Sequence, residues 1–268
     1  MDHHIHTSRC HHAEGNAEDY IIVAIKKGMK FIGFNEHFPM RYLPDAIPVE
    51  EYAMELDEFP EYIAELKQLR KKYKDQIDIL ISTEVDYFEP ALGVIKGNLK
   101  PFLDDFDYLY GSVHVVDDWA VDDNRFLERF NEYDINDVWA RYYDSVIEMV
   151  NTGLFDVVGH LDLPKKYEKI PTKDLDHKLL EVLAAIKSNR MLIELNTAGL
   201  RKPIKEIYPS RHILELCHEK GIEVTLGSDA HAPDEVGYDF PNAIALLKSI
   251  GYDSIVSFKK RERHSIKL

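Results

Sequence analysis

The chain has 268 residues, with 33 Lys and Arg against 48 Asp and Glu and a formal net charge of -15; its pI lies near 5.3. That field repels nucleic acid and anionic lipid, and the lack of an eighteen-residue apolar run or a charged-then-apolar leader argues against a membrane span and a signal peptide. Hydrophobic content of 45% is ample for a core, and the two cysteines, Cys10 and Cys217, make no disulfide framework, which fits a soluble protein of a reducing cytoplasm.

In chain order, Asp2-His3-His4-Ile5-His6 is read as a short strand. The period of two puts Asp2, His4 and His6 on one face. A helix over residues 17–27 is closed by Gly28, and residues 30–34 form a strand. Residues 50–73 carry apolar side chains at helical spacing, among them Leu56, Tyr62, Ile63, Leu66 and Leu69. Strands are expected at 77–82 and 107–112, a helix at 135–151, and a strand at 155–158 ended by Gly159. Then come a helix at 175–189, a strand at 191–195, a helix at 210–220 stopped by Gly221, a strand at 224–226, a helix at 242–250 and a last strand at 254–258. No linker or composition shift divides the chain, so residues 1–268 are read as a single domain. Strands alternating with helices predict a parallel α/β fold, and seven or eight such units favour a TIM-like barrel over an open sheet.

The polar residues collect at the strand ends. They are Asn35-Glu36-His37, Thr83-Glu84-Val85-Asp86, Ser112-Val113-His114, Gly159-His160-Leu161-Asp162, Glu194-Leu195-Asn196 and Gly227-Ser228-Asp229-Ala230-His231. A histidine in a loop is usually just solvated, and an aspartate after a strand is often a helix cap. Six strand ends agreeing is a different matter, because a barrel brings those ends to one rim. The candidate metal ligands are His4, His6, His12, His37, Glu84, His114, His160, Asp229 and His231. Nine exceed the needs of one ion and suit two or three, with a carboxylate such as Glu84 bridging a pair. Imidazole-rich, thiolate-poor ligation fits Zn, Mn or Fe better than Mg. Ions so placed generate hydroxide at neutral pH and clamp a phosphoryl group, which makes hydrolysis the natural chemistry.

Asp2-x-His4-x-His6, His12, Glu36-His37, Glu84, His114, His160 and Asp229-x-His231 together resemble the PHP (polymerase and histidinol phosphatase) superfamily over nearly the whole chain. The resemblance implies a distorted (β/α)7 barrel with metals at its carboxy-terminal rim. It implies one ion on His4, His6, Glu84 and Asp229, a second on Glu84, His114 and His160, and a third on His12, His37 and His231. Within the superfamily, residues 10–15, 159–167 and 194–201, with Tyr208-Pro209-Ser210, look like the histidinol-phosphate phosphatase family. That likeness implies hydrolysis of the phosphate monoester L-histidinol phosphate in histidine biosynthesis, by attack of a metal-bound hydroxide.

Arg201 follows a strand end on the same rim, where a guanidinium could grip phosphate bidentately. Lys165 or Lys166, just past His160, could be a second cationic contact. Arg201, Asp229 and His231 are the residues expected against the reacting group. Asp162 and Asp86 are candidates to protonate the leaving group, and Asp2 and Glu36 are expected to orient neighbouring imidazoles. Asp122-Asp123 and Asp117-Asp118 are acidic loop residues that could attract the cationic end of histidinol. Cys10 is left out as a small buried hydrophobe, and His3, His11, His177, His212, His218 and His264 are assigned to surface or packing. The alternatives are a phosphoesterase of the same superfamily acting on a nucleotide or phosphotyrosine, and a metal-binding regulatory protein without catalysis.

Overall fold

The computed structural model describes residues 1–268. The strands that matter for the site are β1 (Phe31–Phe34), β2 (Asp78–Ile81), β3 (Glu84–Asp86), β4 (Tyr110–Ser112), β7 (Val157–Val158), β8 (Leu192–Asn196) and β9 (Val224–Gly227). A small hairpin, β5 (Val115–Val116) and β6 (Trp119–Ala120), sits above them, and a second, β10 (Ser254–Lys259) and β11 (Glu262–Lys267), lies below. The helices are α1 (Ala17–Lys26), α2 (Phe59–Tyr73), α3 (Leu92–Leu99), α4 (Ile135–Asn151), α5 (Asp176–Ser188), α6 (Arg211–Glu219) and α7 (Phe240–Ile250).

The parallel strands close on themselves through residues 2–6. On one side of that segment Gly33 N–H donates to Asp2 O (2.8 Å) and Asn35 N–H to Ile5 O (2.8 Å). On the other, His3 N–H donates to Leu226 O (2.9 Å) and His6 N–H to Ala230 O (3.0 Å). β1 pairs in parallel with β2, β3 continues β2 after a break at Ser82-Thr83, and β3–β4–β7–β8–β9 form one parallel run. Seven strand positions alternate with seven helices, the barrel favoured by the alternation and the distorted (β/α)7 form that the resemblance implies. Each helix buries one stripe against the strands. In α2 that stripe is Phe59, Tyr62, Ile63, Leu66 and Leu69. The main core contains 61 buried residues.

Two expectations change. The helical pattern read from residue 50 begins only at Phe59, with Pro60 in the first turn where its missing N–H costs nothing; Leu56 lies outside it and is exposed. The strand at 254–258 does not join the barrel. It pairs antiparallel with β11 and closes the amino-terminal end. There Val256 and Phe258 pack with Leu80, Tyr108, Tyr110, Val157 and Leu192. Tyr108 lies inside the barrel, since a Cβ on Gly33 would stand 1.9 Å from its hydroxyl. The opposite end is roofed on one side by the β1–α2 loop and the β5–β6 hairpin. They share a small apolar cluster of their own, including Met40, Leu43, Ile47, Val115 and Ala120.

Candidate active site

The strand ends meet as a ring of imidazoles around two carboxylates. His4 Nε2 and His6 Nε2 are 3.0 Å apart, and Asp229 Oδ1 lies 3.4 Å from His6 Nε2 and 3.8 Å from His4 Nε2. Glu84 stands between two sets of rings. Its Oε2 is 3.4 Å from His4 Nε2, 3.5 Å from His6 Nε2 and 3.2 Å from His37 Nδ1. Its Oε1 is 2.9 Å from His160 Nε2 and 3.9 Å from His114 Nε2, and accepts from Ser112 Oγ at 2.6 Å. His12 and His231 face each other through Nε2 at 3.0 Å.

What these rings can hold follows from their other nitrogens. His4 Nδ1 lies 2.8 Å from Glu194 Oε1, His114 Nδ1 2.9 Å from Asp86 Oδ2, His12 Nδ1 2.7 Å from Cys10 O and His231 Nδ1 3.0 Å from Asp229 O. A carboxylate or carbonyl oxygen only accepts, so each Nδ1 carries a proton, and Nε2 is the nitrogen left to turn to a cation, which takes the place of any proton there. The His12 and His231 Nε2 atoms point at one another across 3.0 Å, an arrangement that a cation between them can bridge. Ligand atoms gather in the sets His4/His6/Asp229, Glu84/His114/His160 and His6/His37/His231, within 4.8 Å in each. Neutral imidazole with carboxylate, each ring oriented by a hydrogen bond behind it, is the donor chemistry of zinc-like ions. The residues fit two to three such ions. His37 departs from the grouping implied by resemblance, standing against His6 and Glu84 as well as His231.

Burial with the surrounding charges sets the protonation. Burial, with His231 beside it, holds the His6 imidazole down to about 3. Burial does the same to His231, against the pull of Asp229. For His114 burial also opposes the proton, but Asp86 and Glu84 overcome it and push the ring up to about 10. Burial alone would raise Glu84 and Asp229, yet the flanking imidazoles hold both well below the usual carboxylate range.

Cys10, set aside in the sequence reading, comes together with His12 and His231, and with His6 and Glu36; burial and then Glu36 push its thiol upward. Glu36 Oε1 accepts from Thr7 N–H and hydroxyl, Oε2 has no partner, and burial raises the carboxyl to about 8. Asp2 orients no imidazole. It receives Ser228 N–H at 2.9 Å and Gly237 N–H at 2.8 Å, tying the first strand to the β9 loop.

The rim residues are more dispersed than their sequence positions suggest. Lys166 lines a cavity of about 550 Å³ over the ring, its Nζ 2.8 Å from Asp122 Oδ2. Lys165 does not reach it. Its buried Nζ is held 2.8 Å from Asp162 and 2.8 Å from Glu206 and donates to Ile207 O at 2.7 Å, which corrects its reading as a substrate contact. Asp162, 2% exposed, also receives Ser210 N–H (2.8 Å) on the same oxygen, and it does not line the cavity. Asp86 is likewise committed, to the His114 ring and backbone N–H (3.1 Å). Arg201 is held against the loop that follows β9. Nη2 donates to Ser228 O (2.9 Å) and Asp229 O (3.0 Å), Nε lies 2.9 Å from Glu235 Oε1, and Nη1 is buried without a partner. Two further residues belong to the site without a sequence motif to mark them: Glu194, which orients His4, and Lys202, which lines the cavity. The only signal for Glu194 was a carboxylate among the strand ends.

A closed parallel barrel with imidazoles and carboxylates converging at its carboxy-terminal rim defines a metal-dependent hydrolase. The PHP domain family model matches residues 2–198. The chain is 34% identical to the probable histidinol-phosphatase of Deinococcus radiodurans, over 97% of both chains. It is 31% identical to the histidinol-phosphatase of Bacillus subtilis, over 89% of this chain and 96% of that one. The crystal structure of Lactococcus lactis histidinol phosphate phosphatase, complexed with zinc, L-histidinol and phosphate, superposes with a TM-score of 0.84 at 25% identity, covering 98% of each chain. This chain belongs to the PHP domain family. No helix in it is long and apolar enough to cross a membrane.

Proposed function

We propose that this chain hydrolyses L-histidinol phosphate to L-histidinol and inorganic phosphate, as a single catalytic domain of residues 1–268 in the cytoplasm. The observation that carries the reading is the convergence of imidazole nitrogens on Glu84 and Asp229 at the cavity of about 550 Å³. The nine residues His4, His6, His12, His37, Glu84, His114, His160, Asp229 and His231 hold two or three Zn, Mn or Fe ions. Bound there, the ions lower the pKa of coordinated water toward 7 and offset phosphate charge.

The chain's own residues do the rest. Glu84 offers one oxygen to each set of rings, fixing the spacing between them. Asp86 and Glu194 hold His114 and His4 in the tautomer that turns Nε2 inward. Arg201 and Glu235 hold the loop carrying Asp229 and His231, and the unpartnered Nη1 of Arg201 remains to meet a phosphoryl oxygen. Lys166 supplies positive charge at the cavity wall, partly neutralised by Asp122. Met40, Leu43, Ile47, Val115 and Ala120 give the cavity an apolar side that sheds water, while Asp122 and Asp123 line it paired with Lys166 and Arg125. With Asp86 engaged by His114 and Asp162 outside the cavity lining, solvent water delivers the proton to the leaving alkoxide.

The test is phosphate release by metal-reconstituted protein from L-histidinol phosphate, a nucleotide and a phosphotyrosine peptide, with His114→Ala as control. A clear preference for histidinol phosphate, abolished in the variant, is the expected result. Slow cleavage of all three would reject the substrate assignment, and no cleavage by metal-loaded protein would reject catalysis.

A further inference from the structure

Three cationic side chains line the cavity: Arg125, Lys166 and Lys202. Arg125 is occupied by Asp123 and Glu51, and Lys166 by Asp122. Lys202 is the exception. Its backbone N–H closes the short turn after β8 by donating to Gly199 O at 3.1 Å, but its Nζ has no hydrogen bond and no ion pair. The side chain is half-buried. In a chain with fifteen more negative than positive charges, a sequestered lysine without a carboxylate is an electrostatic gap. Burial, with Lys166 nearby, disfavours its charge, while Asp229 supports it.

A second group lining the cavity is also without a partner. Tyr208 lines the same cavity, 1% exposed, and its hydroxyl has no partner. The residue is held firmly: its N–H donates to Asn196 O at 2.9 Å and its carbonyl receives Asn196 N–H at 2.6 Å. Its ring sits edge-on to His160, centroids 6.4 Å apart. A Cβ on Gly199 would come within 3.0 Å of that ring, so the close approach depends on glycine there. A buried phenol fixed in place with an unused donor lacks an acceptor.

We infer that Lys202 and the Tyr208 hydroxyl form the subsite that grips the non-bridging oxygens of the substrate phosphate, with Lys202 as its principal charge. This rests on the phosphatase reading and adds a contact to it. The dianion is the missing acceptor for both groups: Nζ donates to one oxygen as an ammonium and Oη to another as a neutral phenol. Lys202 and Tyr208 line the same cavity as His160, Asp229 and His231, so the subsite shares its walls with the ring of ligands.

The experiment is calorimetric titration of the metal-loaded protein with inorganic phosphate, beside steady-state kinetics on L-histidinol phosphate, for the parent chain, Lys202→Met, Lys202→Arg and Tyr208→Phe. Metal content and circular dichroism serve as checks on each. Lys202→Met is expected to weaken phosphate binding and raise KM by about 10- to 100-fold at unchanged metal content, the worth of one charged hydrogen bond. Lys202→Arg should stay within about threefold of the parent, and Tyr208→Phe should lose about 3- to 10-fold. Parental phosphate affinity in Lys202→Met would overturn the inference. So would equal losses in the Met and Arg variants, which would mark shape rather than charge. If the parent binds phosphate through Lys202 but hydrolyses no monoester, the phosphatase reading falls and the subsite stands. If the parent hydrolyses histidinol phosphate and Lys202→Met binds phosphate normally, the subsite alone falls.

Discussion

Arg201 donates through Nη2 to the carbonyl of Asp229 at 3.0 Å, and Asp229 stands in the left-handed region at φ 51°. A residue other than glycine is held there at a cost of about 1 kcal/mol or more, so its surroundings must enforce it. The enforcement is visible: the same nitrogen takes Ser228 O, and Glu235 links Arg201 Nε to the His231 backbone N–H. This turn aims the Asp229 carboxylate at His4 and His6. Arg201 therefore acts on the metal ligands through the backbone, whatever Nη1 also does for phosphate. Arg201→Ala is expected to lower metal affinity about 10- to 100-fold, with part of the lost kcat restored by excess metal. Equilibrium dialysis against zinc checks it; full metal retention with raised KM alone would leave Arg201 only a substrate contact.

Glu194 sets His4 in the same indirect way. Its Oε1 receives His4 Nδ1–H at 2.8 Å, and a Cβ on Gly227 would lie 1.8 Å from that oxygen and 2.7 Å from His4 Cβ. Two unrelated changes should thus converge on one defect. Glu194→Ala frees the His4 tautomer, and Gly227→Ala drives the carboxylate away, each lowering metal affinity by about 10- to 100-fold. Gly227→Ala should also cost about 1–3 kcal/mol of stability from overpacking. Glu194→Gln, whose amide oxygen still accepts, should retain most of the affinity. Metal titrations of the three variants, with thermal unfolding, decide it; an unimpaired Glu194→Ala would mean that His4 is oriented by something else.

The barrel and the ligand ring were legible because both have a local signature. Apolar runs of four or five residues ended in His, Asp or Glu, and parallel topology carries those ends to one rim. Elements without such a signature escaped. α3 contains Gly93 and Gly97, which weaken its propensity, and it is a helix because Ile95 and Leu99 are buried against the barrel. β11 is charged and largely exposed, so no alternation betrays it; pairing with β10 makes it a strand. Side-chain direction in the loops was the hardest to read. Lys165 and Lys166 are neighbours, yet Glu206 claims one and Asp122 the other. Arg201 turns to the loop after β9 because Glu235 lies there, a partner no spacing rule connects to it.

The Asp122–Lys166 pair makes stability depend on pH in a defined direction. Burial would raise the Asp122 carboxyl, but Lys166 and then His114 more than offset that and hold it well below its ordinary 3.8. Because the native value lies below the unfolded one, the unfolded chain takes up the proton first on acidification. The stabilisation is therefore complete above about pH 4 and drains away as the pH falls toward the native value. Lys166, raised by the same contact against burial, keeps its charge throughout. Asp122→Asn should then be less stable than the parent by about 2 kcal/mol at pH 7, between the values for exposed and buried pairs. That gap should narrow as the pH drops below about 4. Urea midpoints of both proteins at pH 7, 5 and 3.5 give the comparison. A gap that does not change with pH would assign the contact to hydrogen bonding rather than charge. The same variant leaves Lys166 unpaired beside Lys202, so its affinity for inorganic phosphate should rise while its stability falls.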